Sequence, residues 1–183
     1  MKRMLFTTLA FVLTSNLLTA QDTVYLRKEG KKKVFTDRPP QAVFAELGGA
    51  GLFFSGNYDR RFNKQTDGLG WRAGLGYNFE SNYKFTTLPI GINYLAGDKN
   101  RGRYFEVGVN STLLFASNNN YNNYNLVGNI YIQPGSTILI TNFNIGYRSQ
   151  PTKGGFNFRG GISPYFIKNE TAITGYLSFG YNF

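Results

Sequence analysis

The chain has 183 residues and contains no cysteine, no histidine, two methionines and one tryptophan. Without thiols there is no disulfide framework and no cysteine nucleophile, so stability has to come from the fold itself. Without imidazole, the commonest general base and the commonest zinc ligand are both excluded. No Walker loop, dinucleotide fingerprint, EF-hand loop or zinc spacing occurs, and the scattered serines match no local triad motif. No cofactor and no metal site is expected. Acidic residues are scarce as well, ten against twenty basic ones, a formal charge of +10. Beyond the first twenty residues no apolar run is long enough to cross a bilayer as a helix.

Aromatic residues and glycine are plentiful: 17 Phe, 13 Tyr and 22 Gly. Rings with a polar edge suit membrane interfaces, and glycine suits crowded barrel interiors. Residues 1–20, MKRMLFTTLAFVLTSNLLTA, read as a signal peptide. Lys2 and Arg3 give the positive start, Leu5 to Leu13 the apolar core, and Leu18-Thr19-Ala20 a cleavage site before Gln21. Removal leaves 163 residues with a formal charge of +8, enough for one domain. Residues 21–41 differ in kind. Arg27, Lys28, Lys31, Lys32 and Lys33 cluster ahead of Arg38-Pro39-Pro40. This stretch reads as a flexible basic periplasmic leader, with a brief pairing of Val24–Leu26 and Val34–Phe35 as a weaker option.

From residue 42 to 183 the pattern alternates with a period of two, the signature of strands with two unlike faces. It is clearest in AITGYLSFGYNF at the end of the chain. Ile173, Gly175, Leu177, Phe179, Tyr181 and Phe183 line one face; Thr174, Tyr176, Ser178, Gly180 and Asn182 line the other. Export and the lack of a spanning helix leave the closed barrel as the route across lipid. The expected fold is an all-β, eight-stranded antiparallel transmembrane β-barrel. Its strands are read at about 43–54, 69–79, 84–95, 103–115, 124–133, 137–149, 154–167 and 172–183. The fifth is the weakest, and an even strand count requires it. Residues 55–67, 96–102, 133–136 and 168–171 are assigned outside; residues 80–83, 116–123 and 150–153 are assigned to the periplasm. The Asn-rich segment 117–125 is long for a periplasmic turn, and an external position would break the strand assignment between Phe115 and Thr137. Pro89 lies within the third of these strands and weakens a closed ladder unless it sits at a bulge.

Five mid-strand charges, Glu46, Arg72, Glu106, Arg148 and Arg159, all fall on the face opposite the apolar one. An arginine facing lipid at mid-depth would cost about 2–4 kcal/mol. In a lumen the same groups form an ion-pair core, since eight strands leave an interior filled by side chains. Glu46 and Glu106 as general acid and base is the lesser reading, because no nucleophile pairs with them and a filled lumen admits no substrate. Arg159→Leu is expected to destabilise the barrel because Glu46 or Glu106 would lose a partner in the lumen.

Several short stretches resemble the small outer-membrane β-barrel proteins of the Bacteroidota, the outer membrane protein beta-barrel domain family. They are Glu46-Leu47-Gly48-Gly49, the run from Leu88 to Leu95, Tyr104 to Gly108, Gly146-Tyr147-Arg148, and Gly155 to Arg159 continuing to Ser163-Pro164. The closing Phe179-Gly180-Tyr181-Asn182-Phe183 resembles the signal read by the barrel assembly machinery, with Phe179, Tyr181 and Phe183 as the insertion signal. The resemblance covers about Ala45 to Phe183. It implies a barrel in the cell outer membrane, in contact with outer-membrane lipid and inserted by the assembly machinery, and it brings no catalytic residue. The function expected is non-enzymatic: a structural barrel, or an accessory subunit of a larger envelope protein complex. The alternative is a lipid-modifying enzyme of the outer membrane. Export removes nucleic acid from the list of partners.

Overall fold

The computed structural model describes residues 23–26, 33–36, 38–78, 84–117, 124–125, 131–167 and 170–183. The signal-peptide reading and most of the basic leader lie outside these residues. Two short strands, β1 (Thr23–Leu26) and β2 (Lys33–Thr36), pair antiparallel within the leader, with Val24 opposite Phe35.

The barrel is made of β3 (Gln41–Gly48), β4 (Phe54–Arg61), β5 (Gly68–Tyr77), β6 (Phe85–Asp98) and β7 (Arg103–Ala116). After β8 (Tyr124–Asn125) and β9 (Tyr131–Ile132), it is completed by β10 (Thr137–Ser149), β11 (Gly155–Ile167) and β12 (Glu170–Asn182). Each barrel strand pairs antiparallel with the next, β7 pairs with β10, and β12 returns to β3, so eight strands close on themselves. Residues contacting around the ring from Ala42 run through Asp59, Arg72, Gly91, Asn110, Asn142 and Tyr165 to Ala172. The residue that β12 pairs with Ala42 is Asn182, ten residues further along. With a rise of ~3.3 Å per residue and a strand spacing of ~4.8 Å, that stagger tilts the strands by about 40°.

The strand count agrees with the sequence expectation, but two of its eight members differ. The stretch read as one strand, Val43–Phe54, ends at Gly48. A 3₁₀ turn, Gly49–Gly51, follows, and the chain returns as β4, which occupies residues assigned to a loop. The strand expected at Tyr124–Gln133 is not in the barrel. Thirteen residue pairs join β7 directly to β10, while Tyr124–Asn125 pairs locally with Tyr131–Ile132. Leu126, Gly128 and Ile130 lie outside the described residues. The connections therefore regroup. Those after β4, β6 and β10 lie at the end that carries Gln41 and Phe183; those after β3, β5, β7 and β11 lie at the other. The Asn-rich segment belongs to the second group, and the connection at 96–102 to the first.

Pro89 sits in no bulge. The β5–β6 ladder runs to Ala73 opposite Ile90 and resumes at Gly76 opposite Thr87 in the same register, so the missing N–H opens a gap without a slip. Pro164 has the same effect between β10 and β11, whose pairs stop at Asn142–Tyr165 and resume at Ile145–Ile162. Each proline keeps its pairing on the other side.

Outward positions carry Leu69, Leu75, Ile90, Ile92, Phe105, Leu139, Ile162, Ile173 and Leu177, all exposed. Inward positions are mainly polar, yet at the end remote from the termini Leu52, Phe85, Leu114, Ile140, Tyr165 and Ile167 form a buried apolar cluster. The 3₁₀ turn folds down into this end. Gly48 and Gly49 allow the dip by adopting positive φ, 71° and 60°, where a Cβ would be strained. Leu52 adopts φ 74° without being glycine and buries its side chain in the cluster. Three wall side chains hold the turn. Thr112 Oγ1 donates to Ala50 O (2.8 Å), Thr87 Oγ1 to Gly51 O (3.1 Å), and the Tyr165 hydroxyl to Gly49 O.

Candidate functional site: the luminal charge network

In a tilted strand of period two, alternate residues enter the lumen, and a long side chain there meets those of strands across the barrel. All five charges expected inside are buried: Glu46, Arg72, Glu106, Arg148 and Arg159. Two more, Asp59 and Arg61, join them on β4. They were missed because residues 55–67 read as a basic loop. The signal was present: Ser55, Asn57, Asp59 and Arg61 alternate with Phe54, Gly56, Tyr58 and Arg60.

Asp59 is the hub. Its carboxylate lies 3.0 Å from Arg61, 3.0 Å from Arg148 and 3.6 Å from Arg159. Glu106 lies 3.6 Å from both Arg148 and Arg159. Asn93 ties the two acids together: its Nδ2 donates to Asp59 Oδ2 (2.7 Å) and Glu106 Oε1 (3.0 Å), while its Oδ1 accepts from Arg61. Arg61 also donates to Gly68 O at 2.9 Å. Glu46 forms a separate pair with Arg72 at 2.7 Å, and Arg72 reaches Asn57 Oδ1 at 3.1 Å. The Phe44 ring lies between two cations, with the Arg159 guanidinium carbon 3.8 Å from its centroid and that of Arg72 at 5.1 Å. Gly70 makes room for the network, since a Cβ there would collide with the Arg61 guanidinium.

Of the two glutamates expected to lose a partner with Arg159, Glu106 is within ion-pair distance of it, at 3.6 Å. Glu46 takes Arg72 as its partner, and Glu106 keeps Arg148 without Arg159. Arg159→Leu therefore leaves neither glutamate alone. Among the described residues four buried arginines face three buried acids, and Arg159 is the most weakly held. Its ion pairs are both at 3.6 Å, and no nitrogen of its guanidinium has a hydrogen-bond acceptor. Beyond the charges an amide chain continues along the inner wall of β7, β10 and β11. Asn110 Nδ2 and Asn142 Nδ2 donate to Asn144 Oδ1, and Asn142 also reaches Ser163 Oγ at 2.7 Å.

Chemically, this arrangement holds its carboxylates rather than offering them. Glu46 and Glu106 are 1% and 2% exposed, and each is engaged by a guanidinium. A substrate arriving from solvent reaches neither, so acid–base work has no geometric support here. Among the described residues no group of three or more His, Cys, Asp or Glu is placed to hold a metal ion. Of the expected insertion-signal residues, Phe179 and Tyr181 face outward and are exposed, whereas Phe183 lies past the end of β12 and is buried. The last residue therefore departs from the alternating apolar face on which it was expected.

No protein-family model matches the chain, and no curated protein matches it. Among solved structures it is similar to the N-terminal β-barrel domain of Pseudomonas aeruginosa OprF. The identity is 12%, the TM-score 0.55, and the match covers 79% of this chain and 96% of that one. At this identity the likeness speaks for the fold.

Proposed function

We propose that this is an outer-membrane β-barrel without enzymatic activity, serving as a structural barrel or as an accessory subunit of an envelope complex. The small Bacteroidota barrels that the sequence resembles are its family in this reading. One observation carries it: the polarity is that of a soluble protein turned inside out. Among the described residues seven charged side chains are buried in the lumen, while leucine, isoleucine and phenylalanine cover the outside of the same strands. In water such a wall would be one continuous exposed apolar patch far beyond what a soluble monomer carries. In a bilayer it is the surface lipid requires, and closure leaves no strand edge unpaired there. The inward turn and the filled lumen favour a closed barrel over a channel. The outward Phe179 and Tyr181 of β12 suit delivery by the barrel assembly machinery.

The test is recovery of the protein from its native membrane in detergent, followed by mass spectrometry of whatever remains bound. A stable set of companions selects the accessory-subunit role. A barrel recovered alone selects the structural role. Recovery in the soluble fraction without detergent overturns the membrane reading altogether.

A further inference from the structure

The charges outside the lumen are divided unequally between the two ends of the barrel. Among the described residues, at the end carrying Gln41 and Phe183 stand Arg38, Arg60, Lys64, Lys99, Arg101, Arg103 and Lys153, against Asp67 and Asp98. Both acids are engaged locally: Lys99 lies 2.7 Å from Asp67, and Arg101 lies 3.5 Å from Asp98. In the sequence between the strands at the other end, together with the first residue of β12, Glu80 and Glu170 balance Lys84 and Lys168. The aromatic residues divide in the same way. Tyr58, Trp71, Tyr94, Tyr147 and Tyr181 face outward near the basic end together with Phe105, Phe156 and Phe179, whereas Phe54, Tyr77, Phe115 and Phe166 lie near the other, so the ring-bearing residues with a polar edge are more numerous at the basic end.

One place combines both features. Arg60 is on the outward side of β4, in register with Trp71 on β5 and Gln41 on β3. Tyr58, two residues along the same face, packs against Trp71 with ring centroids 5.4 Å apart, and its hydroxyl donates to Gln41 Oε1 at 2.6 Å. Arg60 and Arg38 both act electrostatically on the Tyr58 hydroxyl. No carboxylate comes within ion-pair distance of Arg60 among the described residues. The guanidinium thus stands just beyond a tyrosine–tryptophan pair, on the wall that faces lipid, at the depth where the bilayer presents phosphate.

We infer that Arg60, with Arg38, Tyr58 and Trp71, forms a docking site for the headgroup phosphate of an anionic phospholipid, and that the basic rim concentrates such lipids around this end. The inference rests on the membrane reading given above. Rings at the interface anchor depth, and a planar guanidinium offers a phosphate two parallel donors. A basic residue near a charged bilayer contributes about fivefold in lipid association.

Trp71 is the sole tryptophan and lies inside the site, so its fluorescence reports on the site alone. The protein is refolded into vesicles in which either brominated phosphatidylglycerol or brominated phosphatidylcholine is the quencher at equal mole fraction. Preferential quenching by the anionic lipid is expected, about fivefold in relative association. R60Q should reduce the preference toward unity, R38Q should weaken it, and K84Q at the opposite end should leave it unchanged. Equal quenching by the two lipids overturns the inference, as does a preference that survives R60Q. Equal quenching combined with shielding of Trp71 by soluble polyglutamate would put an acidic polymer in the lipid's place and also overturns it. Absence of quenching by either lipid is a different failure, that of the membrane reading itself.

Discussion

The two ends of one lumen are filled by opposite chemistry. Toward the termini the interior is a lattice of guanidiniums, carboxylates and amides centred on Asp59. Toward the other end it is a hydrocarbon cluster edged by the hydroxyls of Thr87 and Thr112, with Leu114 and Ile140 fully buried beneath an inward turn. Strands β6, β7, β10 and β11 contribute side chains to both zones. A small barrel therefore demands filled space inside, not space of one polarity. The zones differ in how they fail. Losing a methyl group leaves a void, whereas losing a carboxylate leaves buried cations facing one another.

That contrast orders the expected effects. Asp59→Ala should be the largest, about 3–5 kcal/mol, because three arginines lose a partner at once. The urea midpoint of the barrel refolded in lipid measures it. Leu114→Ala in the apolar zone should follow at about 3 kcal/mol from lost burial and cavity. A smaller shift for Asp59→Ala than for Leu114→Ala would mean that the charged zone is not held as a network. Thr112→Val keeps the shape but removes the hydroxyl that holds Ala50 O, and should cost about 1–2 kcal/mol. Amide exchange at Leu52 and Phe53 should quicken in that variant while exchange in β11 does not. Arg159→Leu should be the mildest of these, within about 1 kcal/mol. It removes the weakly held cation from an interior with one more base than acids, and both glutamates keep a partner.

Most of the barrel is legible along the chain because alternation survives where both faces are distinctive. In β12 the contrast of Ile173, Leu177 and Phe179 with Tyr176, Ser178 and Asn182 is enough by itself to tell inside from outside. In β4 it is not. The outward face is Phe54, Gly56, Tyr58 and Arg60, too small and too polar to look like a membrane wall, and the basic residues of 60–64 lend it the look of a loop. The apolar run from Gly49 to Phe54 concealed the reversal as well, since a turn that dips into a hydrophobic cluster is itself hydrophobic. Leu126, Gly128, Ile130 and Ile132 alternate well enough to suggest a barrel strand, yet β7 pairs directly with β10. One strand overlooked and one supplied cancel in the total, and an even count cannot reveal such an exchange. Asp59 and Arg61 were lost with β4, and with them the centre of the network. Which guanidinium meets which carboxylate depends on the ten-residue stagger, a property of the closed ring that no single strand encodes.

The pairing of β12 with β3 has a consequence for time. Val43 faces Tyr181, Gln41 N–H reaches Phe183 O at 3.3 Å, and Phe183 N–H reaches Gln41 O at 3.0 Å. Nearly the whole barrel lies between the residues of each such contact. The β6–β7 hairpin spans fourteen pairs across a four-residue turn, so its two halves meet early and at little entropic cost. The seam has to wait for every intervening hairpin, which makes it the slowest contact to form and gives the chain a high contact order. During that wait both flanking strands carry open edges, and a growing barrel is then most prone to pair with the wrong partner. Pulse-labelled amide exchange during refolding should find Phe105 and Tyr94 protected before Val43 and Tyr181; simultaneous protection would show closure in a single step.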